Sequence, residues 1–153
     1  MPVPPMPLAR LFAIAFRSLL DRVHERLSEQ GYHDVGAGFG YVLLAAREGM
    51  LTGNEVATLM GMSKQAASKL IDAMEEAGYL ARKPHPADAR AKLVRITAKG
   101  ARLLANVERI YGELEAEWAQ AIGARELVKL RGDLTKALLA MHGGEMPPVR
   151  PTP

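Results

Sequence analysis

Cysteine is absent from the 153 residues, which excludes disulfides, thiol chemistry and cysteine-based zinc sets together. No uninterrupted apolar run approaches the roughly 20 residues that span a bilayer, so no membrane association is expected. The opening MPVPPMP has neither the basic nor the apolar region of a secretory signal, and the expectation is a cytoplasmic protein. Signatures of catalysis are missing as well: there is no phosphate-cradling glycine loop, no Ser-His-Asp or paired-carboxylate arrangement at an element boundary, and no cofactor fingerprint. His24, His33, His85 and His142 are too scattered to form a ligand cluster. Neither an enzyme nor a metal or cofactor carrier is expected.

What is present is a globular composition, 48% hydrophobic and 24% charged, enough to build one core within a single domain over 1–153. The formal net charge is only +3, but its distribution is uneven. Ser63 to Arg102 holds nine Lys/Arg against four Asp/Glu, a local charge of +5, and the rest of the chain is left at −2. A basic segment inside a near-neutral chain points to a polyanionic partner.

Periodicity divides the chain. Leu8, Leu11, Phe12, Ala15, Phe16, Leu19, Leu20, Val23 and Leu27 recur at steps of three and four, a long helix ending near Gly31. GAGFGYVLLAAREG is apolar enough for a second helix, with three glycines obscuring its start. In TGNE, Thr52 and Glu55 have capping-box spacing and open a short helix to about Met60. Ser63 is the next N-cap, and Ala67, Leu70, Ile71 and Met74 form the buried stripe of a helix that stops at Gly78. YLARK and KLVRIT then alternate as two short strands around a basic, proline-edged tip. Two helices follow, one from Ala98 through Trp118 and one from Leu127 through Met141. The expected division is a DNA-binding part over 36–100, a helical dimerisation part over 6–31 and 101–142, and a disordered tail over 143–153.

Two short helices joined by MGMS, the second with Lys64, Gln65, Ser68 and Lys69 on its polar face, followed by a basic hairpin, form a winged helix-turn-helix pattern. The fold class expected is mainly α with a small β-hairpin wing, flanked by dimerisation helices. A helix fits the major groove, and a hairpin beside it reaches phosphates or the minor groove. At the tip, Asp88 lies near Arg90, and a carboxylate can aim a guanidinium through a charge-assisted hydrogen bond. Narrow, A·T-rich minor grooves favour such an arginine.

Over Leu51 to Gly100, and above all in the spacing of Asp88, Arg90, Lys92, Thr97 and Gly100, the sequence resembles the MarR family of bacterial transcription regulators. The resemblance implies a ligand-responsive homodimer, usually a repressor, presenting one winged unit to each half of a pseudo-palindromic double-stranded DNA operator. It assigns Ser63, Lys64, Gln65, Ser68 and Lys69 to the groove, Arg90 to the wing tip with Asp88 orienting it, and Lys92 and Arg82 to phosphates. Ala66 and Ala67 make this recognition helix unusually small-sided. The lack of cysteine excludes the thiol-based peroxide switch that some relatives use. Phe12, Phe16 and Tyr111 are candidates for a pocket holding a small aromatic or apolar effector, although aromatics at helical spacing more often serve core or dimer contacts. The competing reading is a winged-helix module whose basic face binds an acidic protein.

Overall fold

The computed structural model describes residues 1–2, 4–88 and 90–151. Helix α1 (Leu8–Glu29) closes through Gly31, whose φ of 86° lets the Tyr32 N–H turn back to the Leu27 carbonyl at 2.9 Å, a left-handed C-terminal closure suited to glycine. Helix α2 (Phe39–Glu48) begins after Gly36 and Gly38 rather than among them, with Gly38 as its N-cap. Strand β1 (Leu51–Thr52) leads into α3 (Gly53–Met60), where Thr52 and Glu55 make the expected capping box. Helix α4 (Lys64–Glu76) is capped by Ser63. Strands β2 (Leu80–Pro84) and β3 (Lys92–Ile96) form the wing, and α5 (Ala98–Ile122) and α6 (Ala124–Met141) complete the chain.

The wing has three strands where the sequence suggests two. The order is β1-β3-β2, with Leu51 opposite Val94 and Leu80 opposite Ile96, all antiparallel. A two-residue strand has no period to read, and β1 exists only through its pairing with β3. Pro84 ends the edge strand, where its missing N–H costs no ladder bond.

The chain divides into two compact units. One comprises Asp34–Asn106 with the chain from Gly132 onward, and the other the chain up to His33 with Val107–Arg131. The first is built on α2, α3, α4 and the sheet. Val42, Val56, Ala67, Met74 and Tyr79 are fully buried there. Its tightest junction joins the end of α4 to the start of α5. The Thr97 hydroxyl donates to the Gly78 carbonyl at 2.5 Å and accepts from the Gly100 N–H at 3.1 Å, while the Thr97 N–H reaches the Tyr79 carbonyl at 3.1 Å. Tyr79 donates its hydroxyl to Asp34 at 2.7 Å. Lys99 lies 4.8 Å over the Tyr79 ring and donates to the Ala77 carbonyl at 2.6 Å.

In the other unit Val23, Leu27, Ile110 and Leu114 are buried, and α1 is tied to α5 by charge. Arg22 pairs with Glu117, and Arg26 with both Glu113 and Glu117. Much of its apolar surface is nevertheless open: Leu8, Leu11, Phe12, Ile14 and Phe16 are all exposed. Helix α6 has no buried residue at all, despite its Leu127, Leu130, Leu134, Leu138 and Met141 repeat. From Met146 to Pro151 the tail has no regular element. Pro148 and Arg150 line one hollow with residues of α3. The tail's last two positions lie outside the described residues.

Gly100 supplies a stability test. A Cβ there would overlap the Tyr79 carbonyl oxygen and stand 2.9 Å from Ile96 Cγ1, although alanine gains about 1 kcal/mol in helix propensity. Overpacking against backbone costs about 1–3 kcal/mol, so Gly100→Ala should lower the urea midpoint. An unchanged or raised midpoint would show that the α4–α5 junction yields readily.

Candidate nucleic-acid interface

The turn between α3 and α4 depends on Gly61, at φ 63°, and on the Met62 N–H returning to the Ala57 carbonyl at 3.0 Å. Ser63 Oγ then accepts from the Ala66 N–H at 3.1 Å and starts α4. Ala67, Ile71 and Met74 hold that helix to the core. On the opposite side Ser63, Lys64, Gln65, Ser68 and Lys69 are all exposed. At 3.6 residues per turn the four within the helix fall in an arc of about 140°. The N-terminal half of α4 is thus a polar, cationic face with short side chains between the lysines.

The C-terminal half carries Asp72, Glu75 and Glu76, which would repel a polyanion. Arg82 answers two of them: its guanidinium lies 2.6 Å from Asp72 and 3.1 Å from Glu75, and its backbone N–H donates to Glu75 at 3.1 Å. The Arg82 side chain is only 22% exposed. The position expected to meet phosphate is therefore committed to an internal brace between α4 and β2. Spacing along the strand places Arg82 on the wing but carries no signal for the carboxylates that claim it.

Asp88 also differs from expectation. Its Oδ1 accepts from the Arg90 backbone N–H at 2.9 Å, and among the described residues no carboxylate pairs with the Arg90 guanidinium. The aspartate shapes the main chain of the tip, as aspartates do in Asx turns, and presents Arg90 by fixing its Cα. Further bonds close the loop: His85 N–H to the Ala91 carbonyl, Ala91 N–H to the Asp88 carbonyl, each 3.2 Å, and Ala87 N–H to His85 Nδ1 at 3.0 Å. Ala89 lies outside the described residues. Asp88, Arg90 and Lys92 line an open hollow of about 340 Å³ with Thr52, Gly53 and Asn54, and Arg90 and Lys92 are exposed.

Phe12, Phe16 and Tyr111 belong to the other unit and are 45%, 46% and 39% exposed. They lie on the apolar surface that this chain leaves open. Sequence reading did not single out Asn54, whose only signal is its place inside a capping box, or Asp34 and Tyr79, whose hydrogen bond joins positions far apart in the chain.

The model of the MarR family matches residues 42–91, from within α2 to the wing tip. Among solved structures, the reduced form of MarR from E. coli is 26% identical with a TM-score of 0.76, and the alignment covers 89% of this chain and 99% of that one. A mutant MarR from E. coli complexed with operator DNA is 27% identical with a TM-score of 0.65, over 87% and 94% of the two chains. A transcriptional regulator from Thermotoga maritima shares the fold at 22% identity, with a TM-score of 0.71 over 92% and 99%.

The brace and the free cations should separate in unfolding experiments. Arg82→Ala leaves two carboxylates unanswered on α4 and should cost about 1 kcal/mol. Lys92→Ala, at an exposed strand end, should stay within about 0.5 kcal/mol of the parent. Equal urea midpoints for the two variants would remove the brace.

Proposed function

Because the chain belongs to the MarR family of winged helix-turn-helix transcription regulators, we propose that it is a ligand-responsive homodimer that represses transcription from a pseudo-palindromic operator. The family consists of DNA-binding transcription factors rather than enzymes, and a DNA-binding role follows from membership. The observation that carries the finer reading is the exposed face of α4, with Lys64, Gln65, Ser68 and Lys69 beside the cations of a wing tip that Asp88 shapes. Short polar side chains and lysine reach base edges in the major groove, Arg90 suits a narrow minor groove, and the exposed Lys92 suits phosphate.

Two copies are needed on physical grounds. An amphipathic helix such as α6, without a buried residue, gains little from folding unless another surface covers it. The exposed apolar residues of α1 need the same cover. A second copy supplies both, and its two-fold symmetry matches a palindrome whose half-sites lie about 34–36 Å apart. Phe12, Phe16 and Tyr111 then face a region completed on dimerisation, where a small aromatic or apolar acid would alter the separation of the two recognition helices.

Selection of bound sequences from a random duplex pool tests specificity and half-site symmetry together. The selected site should be an inverted repeat, and log affinity should fall with log salt at about −0.9 per phosphate neutralised. Arg90→Ala should weaken binding and lower that slope by about 1 for each wing engaged. Sedimentation should give twice the 16.6 kDa chain mass. Binding that never exceeds that to random DNA would favour the module with an acidic protein partner. Separately, aromatic carboxylates that raise the melting temperature should also lower operator affinity. Hits that leave that affinity unchanged would remove the effector from the reading.

A further inference from the structure

The tail after α6 is placed in a way that its composition does not announce. Two successive glycines, Gly143 at φ 66° and Gly144 at φ 91°, turn the chain as the Gly144 N–H reaches back to the Leu139 carbonyl at 2.8 Å. Pro147, Pro148 and Pro151 then restrict φ along the tail, which lowers the entropy lost when the side chain between them is held against a partner. That side chain is Arg150. With Pro148 it lines a hollow of about 410 Å³ whose other walls are Asn54, Glu55, Thr58 and Leu59 of α3.

Asn54 is shared. It also borders the hollow lined by Arg90 and Lys92, so one exposed amide on α3 lines both the hollow of the wing cations and that of the tail cation. The acids nearby make only neutral hydrogen bonds and keep their charge: Glu55 accepts from the Thr52 hydroxyl at 3.1 Å and the Thr52 N–H at 3.4 Å, and Asp88 accepts from the Arg90 N–H. Among the described residues no acidic group pairs with Arg90, Lys92 or Arg150, in contrast to the neutralised Arg82.

We propose that the C-terminal tail is a second DNA-contacting arm, in which Arg150, with Asn54 as neutral donor, extends the phosphate track of the wing across α3 onto the backbone flanking the base-read half-site. The proposal rests on the DNA-binding reading above. Its partner is the sugar-phosphate backbone, so the contact adds affinity and salt dependence without sequence preference. The arm acts beyond the read bases and needs duplex there to meet.

The test compares the full-length parent with Arg150→Ala, Arg90→Ala and the charge-matched control Arg125→Ala on α6, using the selected duplex with long and with trimmed flanks. On long flanks Arg150→Ala should lower the salt slope by about 0.9 per tail engaged, so that moving from about 200 to 50 mM salt gains the parent roughly 3.5-fold more affinity per tail than it gains the variant. Trimming the flanks should erase that difference, and Arg125→Ala should match the parent throughout. Arg150→Ala behaving as the parent while Arg90→Ala weakens would overturn the arm and leave the DNA-binding reading standing. Equal losses in Arg150→Ala and Arg125→Ala would reduce the effect to net charge and overturn it too. Tighter binding by Arg150→Ala, or by a chain ending at Glu145, would make the tail a cover over α3 and overturn the arm. A parent that binds no duplex better than random DNA would sink the function and the arm together.

Discussion

One threonine hydroxyl holds the DNA-binding unit in register. Thr97 closes the Gly78 carbonyl left open at the end of α4 and the Gly100 N–H left open at the start of α5, so two helix termini are satisfied by one partly buried side chain. The approach is close enough that Gly100 has no room for a Cβ beside the Tyr79 carbonyl. Tyr79 then carries the constraint to Asp34, in the loop before α2. The end of α4, the last strand of the wing, the loop ahead of α2 and the start of α5 therefore meet at a single polar knot in an otherwise apolar core. A unit with so small a sheet needs such a fixture, because three short strands cannot orient a helix by themselves.

Ion pairing separates the arginines that join parts of this protein from those left exposed and unpaired among the described residues. Arg22, Arg26 and Arg82 are each held by two carboxylates or more, and they join elements of the chain to one another. Arg90 and Arg150 stand at loop or tail positions, where an ion pair would add little to stability. Composition alone assigns all five to one charge class. What distinguishes them is whether an acidic side chain arrives from another element, which is a property of the fold.

That distinction also marks how far the sequence could be read. The capping box at Thr52, the Ser63 cap, the buried stripe of α4 and the alternation of β2 and β3 are local patterns, and they place the helix-turn-helix and the wing to within a residue or two. The polar face of α4 follows from the same period, since burying Ala67, Ile71 and Met74 leaves Lys64, Gln65, Ser68 and Lys69 outside. Legibility ends where contacts are long in sequence. Nothing local shows that β1 pairs with β3, that Asp72 and Glu75 take Arg82, or that Asp34 waits for Tyr79. Even at the tip, two residues of separation were enough to expect a bond between Asp88 and Arg90 but not to decide between guanidinium and backbone.

The Arg82 brace has a consequence for the grammar of an operator. Carboxylates on α4 and a guanidinium on β2 couple the helix and the wing like the jaws of a caliper. Under the DNA-binding reading proposed above, bases met by α4 and the groove met by the wing would keep a preferred phase along the duplex. One inserted base pair between them displaces the second target by about 3.4 Å along the axis and turns it by about a tenth of a helical revolution. Such a caliper would follow divergence in letters more readily than divergence in spacing.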